Sequence, residues 1–233
     1  VRRALEDPTE NAVAQAAFEA PLLGIDSEEF ANLREDFHEA RARDRYRLHA
    51  WRESLDAATE WQADQALSLD AAVFRSYLAA TALEDFTAAI DAAHIGLRAN
   101  PGYATLLNNL AYSLALSGDV TAAEAALASI SSDAIDTRDA IAIAATSGLI
   151  AFKIGEVEAG RAHYRQGIDL ARRAGHRDMA MHARINWAHE EMAVRLPDSR
   201  QRVGELLEGG TNSSDPMLAL LLNRAITTAS VRG

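Results

Sequence analysis

Three groups of residues in this 233-residue chain have types and spacings that could do chemistry. His189-Glu190-Glu191-Met192-Ala193 opens like the helical zinc-hydrolase signature, in which two histidines four residues apart hold one ion and the glutamate between them takes a proton from water. Ala193 stands where the second histidine is needed, so the ligand set fails, and His182 is seven residues from His189, too far to share one ion without further ligands. Arg161, Arg165 and Arg172 recur at i, i+4 and i+11, which places them within about 40° of one another on a helix. Arg173, His176 and Arg177 extend this stripe. It can bind a phosphate, a carboxylate or an acidic partner segment, or it can lie on a solvated face paired with Glu156, Glu158 and Asp169. The third group is amides, chiefly Asn109 and Asn186, which donate and accept at once and so can grip an extended peptide backbone. No carboxylate is spaced with a base and a nucleophile, and Gly209-Gly210 reads as a loop between helices, not as a phosphate cradle. With no cysteine, thiol nucleophiles, disulfides and Cys-ligated zinc are excluded together. The expectation is therefore no enzyme, no metal and no cofactor.

Charge narrows the partners. The net charge is −11, and residues 1–60 carry 8 basic against 14 acidic groups, residues 61–140 carry 3 against 10, and only residues 141–200 are locally basic at 9 against 7. Such a surface repels a phosphate backbone and argues against nucleic acid. Lys153 is the only lysine among the 23 Lys and Arg residues, a bias read first as codon usage. No apolar run approaches the ~20 residues of a membrane span. Val1-Arg2-Arg3 leads into an acidic capped segment and not a signal peptide, so a soluble, cytoplasmic protein is expected. Val1 in place of methionine predicts a piece of a longer chain.

The elements that must position these groups are helices. Asp7-Pro8-Thr9-Glu10 is a capping box with proline in the first turn and predicts a helix to about Ala20. Asp26-Ser27-Glu28-Glu29 starts another, with Phe30, Leu33, Phe37 and Ala40 on one face. The charged run Arg41 to Arg47 predicts a turn, and Trp51, Leu55 and Ala58 mark the next amphipathic stretch. Trp51, Trp61 and Trp187 are expected in the core. From Asp70 the chain repeats itself: Phe86-Ala89-Ala93-Gly96, Val120-Ala123-Leu127-Ile130 and Val157-Gly160-Tyr164-Gly167 share one spacing and start 34 and 37 residues apart. Each set follows another amphipathic stretch, over 73–83, 106–116 and 144–154. Small residues at Ala89, Ala123 and Gly160, and again at Gly96 and Gly167, let helices cross closely. A period near 34 built of two short helices predicts an all-α solenoid.

These residues resemble the tetratricopeptide repeat. Leu107, Leu110, Ala111 and Leu114, then Gly118-Asp119, then Ala123, Leu127 and Ile130 follow its order of large and small positions. Tyr77, Glu84 and Ile130 depart from it, Glu84 standing where a turn glycine is usual. The resemblance implies a right-handed superhelix of antiparallel helix pairs over residues 70–208, with a stretched fourth unit at 178–208 turning near Pro197. Residues 1–69 then form an N-terminal helical segment, read as a degenerate repeat or cap, and residues 209–233 a helix closing the stack. It further implies a concave groove, lined by the first helix of each pair, that takes a peptide or helix of a partner protein. On that reading the groove residues are Arg75, Asn108, Asn109, Ser113, Thr146, Arg184, Asn186 and Glu190, and the acidity favours a partner of basic character. The Lys, Asn and Arg clamp by which some of these domains hold a C-terminal carboxylate is not expected, because Phe74, Leu78, Ala142 and Thr146 occupy its positions and only Asn109 matches. An interaction scaffold is the first functional reading. The alternative is the ligand- or peptide-sensing part of a larger bacterial regulator or effector, suggested by the lengthened unit at Ala171 to Gly175.

Overall fold

The computed structural model describes residues 37–208 and 215–232, and these are helical with no strand among them. The helix expected from Asp7, and that expected from Asp26 as far as residue 36, lie outside the described residues. Eleven helices follow in order: α1 (His38–Arg47), α2 (Trp51–Asp64), α3 (Leu69–Ala82), α4 (Phe86–Ala99), α5 (Ala104–Ser117), α6 (Val120–Ala128), α7 (Thr137–Lys153), α8 (Val157–Arg173), α9 (Arg177–Val194), α10 (Ser199–Leu207) and α11 (Pro216–Arg232).

Local chemistry sets several boundaries. The side chains of Ser68, Asp85, Asp119 and Asp136 each accept the N–H three residues on, which starts α3, α4, α6 and α7. Gly118 and Gly155 turn the chain after α5 and α7 with φ of 99° and 87°. At the matching turn after α3, Glu84 takes the left-handed conformation itself, at φ 54°, which costs a side-chain-bearing residue about 1–2 kcal/mol. The run Arg41 to Arg47 is helix and not the expected turn. Ala40 and Ala42 are buried, Ala42 packs with Ala57 and Ala58 of α2, and Arg43 pairs with Glu39 one turn away. The turn falls instead at His49, with φ 61°.

Each helix packs on the next, and α3, α5, α7 and α9 also pack on one another in succession. The small residues serve close approach, as their spacing implied. A Cβ on Gly96 would lie 2.4 Å from Ala72 Cβ and 2.8 Å from Leu106, and one on Gly160 would lie 2.5 Å from the Phe152 ring. Ile130 does not share that role, because α6 ends at Ala128. Trp61 and Trp187 are buried, while half-buried Trp51 meets Tyr46 edge-on at 5.3 Å.

α11 packs against α9 and, at the other extreme of the row, α3. It buries Met217, Leu218, Leu221, Leu222 and Ala225 in one cluster with Leu78 and Ile185. Asp215, at its start, accepts a hydrogen bond from the Tyr46 hydroxyl at 3.2 Å and faces His182 Nε2 at 3.6 Å. Arg224 donates to the carbonyls of Thr81 and Ala82 at the end of α3, at 3.1 and 2.6 Å, and meets Glu84 at 3.3 Å. Those carbonyls carry the negative end of the helix dipole, so the guanidinium is doubly favoured there.

Candidate functional site

A cavity of about 240 Å³ lies where α3, α5, α7, α9 and α11 meet. Its polar lining includes Tyr112 from α5, Lys153 from the last turn of α7, and Asn186 and Glu190 from α9. Phe86, Leu116, Leu149, Tyr164 and Leu221 supply apolar wall. A wider cleft of about 580 Å³ beside α11 shares Glu84 and His189 with it.

Lys153 Nζ lies 3.1 and 3.4 Å from the two carboxylate oxygens of Glu190. Glu190 is only 6% exposed, and burial pushes its carboxyl above the usual range, the Lys153 charge opposing this. Burial, with the charges of Glu190 and Glu84, also pushes the Tyr112 phenol up. The Tyr164 phenol is raised by burial and by Glu190. Both phenols therefore stay protonated and can donate. The side-chain polar atoms of Tyr112, Tyr164 and Asn186 bond to no other described residue. The cavity thus gathers hydrogen-bonding groups with capacity to spare beside apolar wall, the composition of a small-ligand site.

Of the eight groove candidates only Asn186 and Glu190 reach this cavity. Arg75 donates to Gln62 Oε1 at 2.7 Å and Asp91 Oδ2 at 3.3 Å, tying α3 to α2 and α4. Asn109 donates to Ser76 Oγ at 3.0 Å, holding α5 on α3, and Ser113 is buried with its hydroxyl on the Asn109 carbonyl. Asn108 and Thr146 are buried. Arg184 closes the end of α10 by donating to the carbonyls of Glu205 and Glu208 at 2.7 and 2.9 Å. Arg75, Asn109 and Arg184 thus hold helices together, Ser113 bonds within α5, and Asn108 Oδ1 and Arg75 Nε are buried without a hydrogen-bond partner.

The arginine stripe divides as well. Arg165 and Arg172 are exposed, and Arg172 is 4.0 Å from Asp169. Arg161 is buried, with Nε and Nη2 on the two oxygens of Glu191 at 2.7 and 2.8 Å, Nη1 on Glu158 at 2.7 Å and Nη2 on Asp198 at 3.2 Å. Its guanidinium is filled from within the chain, so it does not join Arg165 and Arg172 in a shared anion site. Glu191 also accepts from Trp187 Nε1 at 2.9 Å and Ser199 Oγ at 2.8 Å. The near-zincin segment thus contributes Glu190 to the cavity and Glu191 to a structural node. Among the described residues no three His, Asp or Glu side chains gather as a metal would need, and no helix is long and apolar enough to cross a membrane.

Sequence reasoning missed Lys153, Tyr112 and Tyr164. The signal for Lys153 was its uniqueness, which was read as codon usage. The tyrosines look like any large core position until the neighbouring helices are in place. Comparison of the chain with family models, curated proteins and solved structures finds no match.

Proposed function

We propose that the chain is a non-enzymatic interaction module, a tetratricopeptide-like solenoid whose groove takes an amphipathic helix of a partner protein. The observation that carries this reading is α11. It supplies Met217, Leu218, Leu221, Leu222 and Ala225 as one apolar stripe against α3 and α9, the helix-in-groove mode of recognition. Arg224 adds a basic anchor on the C-terminal carbonyls of α3. A partner helix with the same apolar spacing and an arginine in that place would use the same contacts, in keeping with the net charge of −11.

The same observation favours regulation as the second reading. A groove held by the chain's own helix admits a partner only by displacing it, so α11 acts as a built-in competitor and sets a threshold for binding.

A labelled peptide of residues 215–232, added to the full chain carrying Leu218→Asp, tests both. The charge weakens docking of the chain's own α11, and the peptide then binds in trans with micromolar affinity, while the unmodified chain takes it at least ten-fold more weakly. If the variant keeps its helical circular dichroism and binds no peptide, helix recognition is refuted. If both chains bind the peptide equally, the competitor role is refuted.

A further inference from the structure

We propose that the cavity between α5, α7, α9 and α11 binds a free α-amino acid with an apolar side chain, its ammonium on Glu190 and its carboxylate on Lys153. This inference goes beyond the partner-helix reading and does not depend on it, since Leu221 of docked α11 is part of the wall.

Charge selects a zwitterion. Lys153 and Glu190 cancel, and Glu84, the other carboxylate at the rim, is 3.3 Å from Arg224. A phosphate or dicarboxylate entering here would meet one ammonium and the adjacent Glu190 carboxylate, whereas an amino acid offers one charge of each sign to a pair that already has both. The phenols of Tyr112 and Tyr164 and the amide of Asn186 remain for the ligand's carboxylate oxygens and ammonium.

Size agrees. At ~30 Å³ per water, 240 Å³ holds about eight waters, the room of a ligand of roughly nine non-hydrogen atoms. Leucine has that size, and Phe86, Leu116, Leu149 and Leu221 offer its side chain an apolar surround.

The choice of lysine is the third observation. All other basic side chains except the histidines are arginine. At Glu191 an arginine takes both carboxylate oxygens with a planar fork. At Glu190 a compact ammonium pairs with the carboxylate and leaves N–H donors and carboxylate lone pairs uncommitted. An arginine at 153 would close the pair; a lysine keeps it open to a ligand.

Titration calorimetry and thermal melting of the full chain at pH 7 test the proposal, with leucine, methionine, valine and phenylalanine as probes. 4-Methylpentanoate and 3-methylbutylamine serve as half-ligands that lack one charge each. The expected result is saturable binding and a raised melting temperature with at least one amino acid of leucine size, and at least ten-fold weaker binding of either half-ligand. Glu190→Gln and Lys153→Gln should each weaken amino-acid binding at least ten-fold. If neither variant folds, the comparison of leucine with its half-ligands on the unmodified chain still decides. No binding of any of the four amino acids at 10 mM, equal binding of a half-ligand, or unchanged binding in both folded variants overturns the proposal. None of these results bears on the trans peptide assay, so the two readings fail separately.

Discussion

Glu190 and Glu191 are consecutive residues on α9, both nearly inaccessible to solvent, and their environments push them in opposite directions. Burial raises both. At Glu190 it prevails over one lysine. At Glu191 hydrogen bonds from Arg161, Ser199 and Trp187 outweigh it and hold the carboxyl below its usual range. The ring of Tyr164 stacks on that of Trp187 at 6.0 Å and also faces the cavity, so one aromatic pair separates the two carboxylates' surroundings. The difference teaches how to read a buried charge. A carboxylate with every lone pair used is a fastener between helices, here α8, α9 and α10. A carboxylate with one partner beside a cavity has been left available, at a standing electrostatic cost that a bound cation would relieve.

The comparison can be broken most severely at Arg161. Arg161→Met leaves Glu191 buried without its main partner and should cost about 3–5 kcal/mol in urea unfolding; a loss under about 1 kcal/mol would mean the node is not a fastener. The next effect is smaller. Ser199→Ala removes one donor to Glu191 and one acceptor for the Leu196 N–H, and about 1–2 kcal/mol should be lost in the same measurement.

The pH dependence of stability sharpens the contrast with little net change. Glu191, with its folded pKa lowered, contributes stability that is complete above the unfolded carboxyl pKa and is lost as pH falls through the lower folded value. Glu190, with its folded pKa raised, does the reverse: between the unfolded value and the raised one the folded state holds the extra proton, so stability rises as pH falls through that window. Acidification from neutral should first stabilise the protein and then destabilise it. Glu190→Gln should abolish the first limb and leave the second. An unaltered first limb in that variant would assign it to another group.

Much of the fold was legible because it is local. The turn at Gly118-Asp119 and the close approaches at Gly96 and Gly160 depend on a few neighbouring residues and on one spacing repeated, whereas the caps at Ser68, Asp85 and Asp136 emerge only in the structure. The charge density of Arg41 to Arg47 predicts a turn, and the burial of Ala40 and Ala42 outweighs it. The site was far less legible. Asn109 and Asn186 are the two amides the sequence singles out, yet the first is spent on Ser76 and the second lines the cavity. Arg161 and Arg165 lie one turn apart on α8, yet only one is buried. Spacing along the sequence specifies a side of one helix, not the neighbour found there.

By itself the sequence determined that the described chain is helical, that helices start at Phe86, Val120 and Val157, and which residues are small enough for helices to cross. Hydrogen bonds within a turn and the 3.6-residue period act over a few residues and need no partner. Only the tertiary structure decided that α11 lies across α3 and α9, that Lys153 meets Glu190 across 37 residues of chain, and that two adjacent glutamates have opposite electrostatics. Those outcomes depend on which distant surfaces exclude water together, and desolvation is a property of the assembled helices, not of any one segment.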